Sequence, residues 1–206
     1  ASSALHERVL AAQPYWDAYW RGEAPMLSAV VPKDPGSPVP KPPLGITWKT
    51  DLDALADSLL RWEAANVFLG GAIPGYCVYL FDVYNPLGVF LGGQVEEGGD
   101  SHRMIPFVHD LDTARLESDR SSPLAARLGD IAGRLRERCA GRVLISASAI
   151  GANLDALEAV RGSTELLMDL VDNPGGVQRC LAQIDAAAAQ MLDFHAELYD
   201  FAAWGS

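Results

Sequence analysis

The apolar positions of this chain recur at two spacings, and together they predict helices that alternate with single short strands. Four segments carry apolar residues at helical spacing, and polar or special residues mark where each helix begins or ends. The predicted helix boundaries are a break at Pro14, a cap at Thr50 with an end at Asn66, a start at Ser122 and Pro123 with an end at Gly141, and a start at Asn173 and Pro174.

Three short apolar runs predict strands, at residues 26–31, 67–69 and 143–148. The last run is apolar enough to be covered on both faces. A short helix near residues 84–91 and an extended piece within residues 100–108 are weaker features of a glycine-rich stretch. Because helices separate the single strands, we expect crossover connections and one parallel sheet that contains all three strands.

Composition narrows the class of protein. A chain of 206 residues, of which 49% are hydrophobic, can bury a sizeable core, and we expect one soluble domain over residues 1–206. The net charge of −11 disfavours nucleic acid and anionic membranes as partners, since both require a basic surface. No apolar run approaches the roughly 18 residues that a bilayer span needs.

The three cysteines favour a structural interpretation. Cys77, Cys139 and Cys180 lie far apart without metal-like spacing, and free cysteine is among the most buried residue types. An odd count with no signal-peptide pattern suits a reducing compartment, so the predicted location is cytoplasmic.

The second half of the chain carries the most specific motifs. The segment GANLDALEAVRG at residues 151–162, followed by ELLMDLVDNP at residues 165–174, resembles the uroporphyrinogen decarboxylase superfamily. Three weaker pieces occur in matching order and resemble its less-characterised bacterial branch: WDAYWRG at residues 16–22, FLGGAIP at residues 68–74 and PFVHD at residues 106–110.

This resemblance implies an α/β fold, the (β/α)8 barrel. Such a barrel needs eight strands in roughly 250 residues, whereas the pattern here predicts three. We therefore expect the N-terminal part of a barrel that is incomplete in this chain. A truncated product and a smaller α/β domain that resembles half a barrel remain open as alternatives.

The barrel interpretation also implies where the site lies, because loops at the carboxyl ends of the strands build active sites in this fold. Asn153 and Asp155 are the predicted catalytic residues, and their strand ends should converge on one cleft. The predicted substrate-binding residues are Gly71, Ala72, Ser148, Arg161 and Trp204.

Other polar groups have two interpretations. Asp169 and Asp172 share a helix face and could act as an acid–base pair, although an Asp172-Asn173 cap is the favoured interpretation. Arg161 could pair with Glu158 or Asp155, or could bind a substrate carboxylate.

A second uncertain group centres on two histidines. His102 and His109, with Asp100 and Asp110 nearby, could suggest a metal site. Surface polar residues on an irregular loop are the favoured interpretation, and no metal ligand is predicted. His195 is expected to be packed or at the surface.

The chain departs from the authentic decarboxylase at two points. Where that enzyme carries an aspartate that contacts the pyrrole nitrogens, this chain has Gly70-Gly71. In the region of its arginine-rich substrate loop, this chain has only Arg21, with Lys33 and Lys41 further on. A porphyrinogen with eight carboxylates requires several cations, so we expect a different small-molecule substrate.

The predicted function is therefore methyl transfer by a member of this superfamily. The cofactor is unknown, and the resemblance suggests a corrinoid, or zinc held by residues outside this chain. Two alternatives remain open: a true tetrapyrrole decarboxylase, and a non-catalytic half-barrel module whose exposed sheet edge needs a partner. The predicted partner is a small-molecule substrate, and a homodimer or a completing partner segment is left open.

Overall fold

The computed structural model describes residues 3–80, 86–98, 101–147 and 150–200, which form a mixed α/β fold that is about half helical. The helices are α1 (Ala4–Trp20), α2 (Leu52–Ala65), α3 (Pro86–Phe90), α4 (Pro123–Arg138), α5 (Asn153–Arg161), α6 (Ser163–Asp172) and α7 (Pro174–Tyr199). The strands are β1 (Ser28–Pro32), β2 (Gly45–Ile46), β3 (Asn66–Gly70), β4 (Gly75–Leu80), β5 (Gln94–Gly98), β6 (Ser101–Ile105) and β7 (Leu144–Ala147).

The strands of this part of the chain form a parallel sheet and two antiparallel pairs. The parallel sheet has the order β2-β4-β7, with Gly45 opposite Tyr79 and Ile46 opposite Leu80. The antiparallel pairs are β1 with β3 and β5 with β6. The half-barrel itself is not confirmed by this arrangement.

The prediction that three strands share one parallel sheet was wrong. Of the three, only the third, β7, belongs to the parallel sheet, while β1 and β3 run antiparallel to each other as a separate ribbon. An apolar run says nothing about which strand is its partner or in which direction that partner runs, and the first two runs are not buried either, since Val30, Val31, Val67 and Leu69 are 40–46% exposed. Strand β4 was missed because its sequence, GYCVYL, is nearly all apolar, which hides the alternation between buried Tyr76 and Val78 and their half-buried neighbours.

The described chain divides into two compact units. Unit 1 consists of Ala1–Leu44, Lys49–Val78 and Ile131–Ser146, and unit 2 consists of Gly45–Trp48, Tyr79–Asp130 and Ala147–Ser206. Each unit is therefore assembled from three separate segments, and the boundary passes through α4 and β4. Nothing in this division tests the single domain predicted over residues 1–206, which stays a prediction.

In unit 1, α2 and α4 run parallel and are joined by arginine–carboxylate pairs. Arg134 lies 2.6 Å from Asp53, and Arg138 lies 2.5 Å from Asp57. Both partners advance by four residues, which is the spacing that keeps side chains on one helix face. Arg142, which follows the helix, continues the series to Glu63. Because these pairs are exposed, each adds little to the free energy of unfolding. Their main effect is to fix the position of α4 along α2.

In unit 2, the long helix α7 contacts α3, α5 and α6. Its buried side includes Cys180, Ile184 and Met191, as the predicted helical spacing requires. Asn173 caps this helix by accepting a hydrogen bond from the N–H of Gly176 at 2.9 Å. The predicted start at Asn173 and Pro174 is confirmed, and so is the cap of α4 at Ser122.

Two predicted helix boundaries were wrong. Pro14 lies inside a continuous α1 and does not break it. Because Pro14 has no N–H group, it donates no hydrogen bond to the carbonyl of Leu10. Leu10 and Pro14 are both exposed, so water can donate to that carbonyl instead. The cap of α2 is Asp51 instead of Thr50, because Asp51 Oδ1 accepts hydrogen bonds from the N–H groups of Asp53 and Ala54, each at 3.0 Å.

We predict that Gly70→Ala destabilises unit 1 more than Gly22→Ala does. Both glycines have a left-handed φ, +60° and +71°, so each substitution should cost roughly 1 kcal/mol of backbone strain. At Gly70 a Cβ would also lie 2.1 Å from the carbonyl oxygen of Leu27, whereas nothing lies within 4 Å at Gly22. Urea denaturation should show the difference, and equal losses would contradict the close approach of the chain at Gly70.

Candidate functional site

The two predicted catalytic residues lie in the first turn of α5, the helix that follows β7 in the chain. Helix α5 begins at Asn153, whose φ of +61° lies in the left-handed region that side chains other than glycine rarely adopt. Such strain costs on the order of 1 kcal/mol or more and tends to occur at functional sites. The preceding residue, Ala152, offers no side-chain cap, so this helix start is not stabilised in the ordinary way.

The side chains of Asn153 and Asp155 are exposed. Neither makes a hydrogen bond or an ion pair with another residue in the described part of the chain. Asp155 lies in the first turn of α5, where a carboxylate also interacts favourably with the helix dipole. Both polar groups are therefore available to a ligand, and their catalytic role stays a prediction.

Gly71 and Ala72 belong to unit 1, and their backbone groups are already engaged there. The N–H of Gly71 donates to the carbonyl of Leu27 at 2.7 Å, and the Gly71 carbonyl accepts from Trp16 Nε1 at 2.9 Å. The Ala72 carbonyl accepts from Arg8 Nε at 2.8 Å. These bonds attach α1 to the end of β3, so a substrate would have to compete with them.

Arg161 was expected to pair with Glu158 or Asp155, or with a substrate, and instead pairs with Asp169. Its Nε lies 2.7 Å from Asp169 Oδ2, and its Nη1 donates to the carbonyls of Val108 and His109 at 3.0 and 2.7 Å. The hydrogen bonds to Asp169 raise the pKa of Arg161 above its ordinary value. Most of its N–H donors are thus used to hold α5, α6 and the segment after β6 together.

Glu158, Asp169 and Asp110 have structural roles. Glu158 accepts a hydrogen bond from Ser163, and Asp169 is the partner of Arg161, so Asp169 and Asp172 do not form an acid–base pair with each other. Asp110 accepts from the N–H of Asp112 at 2.9 Å and from Thr113 at 3.1 Å. These bonds lower the pKa of Asp110, as expected for a turn.

Ser148, Trp204 and Asp100 lie outside the described residues, so their predicted roles have no structural counterpart here. Among the residues that the structure does describe, no group of three or more His, Cys, Asp or Glu side chains could hold a metal ion. The described residues do not by themselves fit the zinc site that the resemblance suggests, and no chemical step is derived through zinc.

A shallow groove in unit 2 was not predicted. It has a volume of about 480 Å³ and lies between residues 115–118 and α7. Gln183 accepts a hydrogen bond from the N–H of Leu116 at 2.8 Å, and Gln190 accepts from Ser118. Gln183 and Gln190 are seven residues apart in the sequence, a spacing that indicates a polar stripe along one face of α7. Their partners are distant in sequence, so the groove itself could not be predicted.

Burial alters the protonation of several groups outside these sites. Burial raises the pKa of Cys139 to about 11 and raises the pKa of Cys77 and Cys180 as well, which keeps all three as thiols at neutral pH. The predicted burial of Cys139 and Cys180 is confirmed, while Cys77 is half-buried. His195 is only 3% exposed beside Phe194 and Tyr199, and its burial lowers its pKa to about 4.

Comparisons with models of protein families, with curated proteins and with solved structures found no match to this chain. Within the described segments, no helix combines the length and the apolar character that a bilayer span requires.

We predict that removing Arg161 destabilises the fold through its partly buried pair with Asp169, whose side chains are 14% and 15% exposed. Arg161→Ala leaves Asp169 and two carbonyls unpaired, and should lower the free energy of unfolding by about 2–3 kcal/mol. The matched control is Arg179→Ala, since Arg179 pairs with Asp112 where both side chains are more than half exposed. That loss should stay below about 1 kcal/mol. Chemical denaturation that gave equal losses would contradict the role assigned to Arg161.

His195 predicts a specific dependence of stability on pH. Its folded pKa of about 4 lies below the roughly 6.5 of an unfolded histidine, so the unfolded chain binds a proton first as the pH falls. The contribution of neutral His195 is complete above pH ~6.5, and about 3 kcal/mol of it should be lost between pH 7 and pH 4. His195→Gln should reduce this loss, whereas His109→Gln, an exposed control, should not. Equal pH profiles for all three proteins would contradict the prediction.

Proposed function

We propose that this protein acts on a small molecule by methyl transfer, as a member of the uroporphyrinogen decarboxylase superfamily that does not use uroporphyrinogen. The observation that carries the proposal is the start of α5, the helix that follows β7 in the chain. This segment belongs to the motif that resembles the superfamily, and its Asn153 and Asp155 side chains are exposed and have no hydrogen-bond or ion-pair partner among the described residues. Ligands of parallel sheets bind outside the carboxyl ends of the strands.

The proposal includes an incomplete (β/α)8 barrel, of which β2, β4 and β7 would be barrel strands. Their common direction supports this assignment. The ribbon of β1 and β3 would lie outside the barrel wall, because its antiparallel pairing does not occur between neighbouring strands of such a barrel.

The two side chains would have distinct tasks in methyl transfer. The acceptor must lose a proton, or the leaving heteroatom must gain one, when the methyl group moves. Asp155 would exchange that proton, which is a contribution of roughly 10²–10⁴-fold to the rate when the carboxyl group is well placed. Asn153 would orient the substrate by hydrogen bonds from its amide. A corrinoid would take part as the methyl donor or acceptor.

Uroporphyrinogen is disfavoured because the cations available for its carboxylates are already engaged. Arg21 binds Glu23 at 2.8 Å, and Lys33 Nζ donates to the Ala64 carbonyl at 2.6 Å. Lys41 Nζ lies 5.4 Å from the centre of the Trp62 ring, and burial lowers its pKa. Gly70-Gly71 also provides no carboxylate to stabilise positive charge on a pyrrole ring.

We predict that Asp155→Asn and Asn153→Gly each lower methyl transfer by about 100-fold or more without lowering the unfolding midpoint, because both side chains are exposed and glycine relieves the left-handed strain at residue 153. Glycine is chosen at residue 153 because it accepts the left-handed φ. The assay follows methylcobalamin formation or consumption with O-, N- and S-methylated compounds and a thiol, and Asp185→Asn on α7 is the exposed control.

Two results would contradict the proposed reaction or the proposed site residues. Anaerobic turnover of uroporphyrinogen to coproporphyrinogen at about 1 per second or faster would contradict the proposal and favour the decarboxylase. Methyl transfer that is unaffected by either substitution would leave the superfamily assignment intact and would remove Asn153 and Asp155 from the site.

A further inference from the structure

Helix α6 has an inner face that is fixed to unit 2 and an outer face that is apolar and uncovered. Leu166 on the inner face is 5% exposed, and Asp169 on the same face is held by Arg161. On the outer face, Leu167, Met168 and Val171 are 65%, 59% and 79% exposed. The inner contacts prevent the helix from turning this outer face toward the core.

The outer residues form a stripe and are not scattered. Residue 171 is four positions after residue 167 and three after residue 168. These spacings place all three side chains on one side of the helix. A single exposed apolar residue on a protein surface is ordinary, whereas three large ones side by side on one helix are typical of an interaction surface. A helix packed along the stripe is the arrangement that this spacing fits.

The charges beside the stripe indicate what kind of partner fits. Glu165 and Asp172 are exposed and seven residues apart, which places both on the same flank of α6, next to Met168. Neither carboxylate makes a hydrogen bond or an ion pair with another described residue. Glu165 lies within electrostatic range of Arg161, but the guanidinium of Arg161 is bound to Asp169.

A second copy of the chain does not complement this surface. In an antiparallel pairing of two α6 helices, the acidic flank would face itself. In a parallel pairing it would face Ser163 and Leu170 on the opposite flank, which provide no cation. Like charges placed in contact are destabilising, and the net charge of −11 adds to the repulsion between copies.

We propose that the outer face of α6 binds a cationic amphipathic helix of another protein. Leu167, Met168 and Val171 would receive the apolar stripe of that helix, and Glu165 and Asp172 would pair with Lys or Arg residues seven apart on one of its edges. This inference rests on α6 alone and holds whether or not the chain transfers methyl groups.

The test uses the full chain and a designed helical peptide of about 20 residues, long enough to form a stable helix. The peptide carries leucines at positions i, i+3, i+4 and i+7 and lysines seven apart along one flank. Two control peptides have the same leucines with glutamate in place of lysine, or the same composition in scrambled order. Fluorescence anisotropy should show binding of the cationic peptide that weakens as the salt concentration rises, and no comparable binding of either control.

Variants of the chain locate the surface. The double substitution Leu167→Ser and Val171→Ser should weaken binding by about tenfold or more, because it removes two apolar side chains that the bound peptide would bury. Glu165→Gln with Asp172→Asn should weaken binding and reduce its dependence on salt. Leu192→Ser, on the half-exposed part of α7, is the matched control and should leave binding unchanged.

Three outcomes would overturn the proposal. The first is equal binding of the cationic and acidic peptides. The second is binding of the cationic peptide that survives the substitutions at residues 167 and 171. The third is self-association of the chain, or adsorption to anionic lipid vesicles, that disappears with those same substitutions, since the occupant of the face would then be a second copy or a membrane.

Discussion

The parallel pairing of β4 with β7 is the constraint on which the rest of the structure depends. Parallel neighbours cannot be joined by a tight turn, so the chain between them has to cross over, and the segment between β4 and β7 contains α3, β5, β6 and α4. Helix α4 runs in the same direction as α2, so Arg134 and Arg138 pair with Asp53 and Asp57, which have the same four-residue spacing. Helix α5, whose first turn contains Asn153 and Asp155, follows β7 in the chain.

The polar residues of the second half separate into two groups by what they contact. Arg161, Asp169 and Asn173 resemble active-site residues in a sequence, yet each is engaged in holding α5, α6 and α7 in place. Among the described residues, the side chains of Asn153 and Asp155 have no hydrogen-bond or ion-pair partner, and Asn153 has a left-handed backbone φ of +61°. We therefore propose the site at the second group, because strained backbone conformations occur preferentially at functional sites.

The parts of the fold that could be predicted are those that depend on neighbouring residues. The ends of α2, α4 and α7 follow from Asn66, Ser122 and Asn173, whose side chains act within four residues of themselves. The pairing of β1 with β3 and the clamp made by Arg161 depend on residues distant in sequence, and no local pattern reports them. At the site, the engagement of Gly71 and Ala72 by Trp16 and Arg8 was not predicted, because these partners are also distant in sequence.

The most direct test of the proposed site is the location of the ligand on the chain. Backbone amide chemical shifts of the isotope-labelled protein would be recorded during a titration with methylcobalamin. The account predicts that the largest changes occur at residues 150–155, which lead into and begin α5, and that Asp155→Asn weakens them. Changes confined to the groove formed by Arg115, Gln183 and Gln190, with residues 150–155 undisturbed, would contradict it.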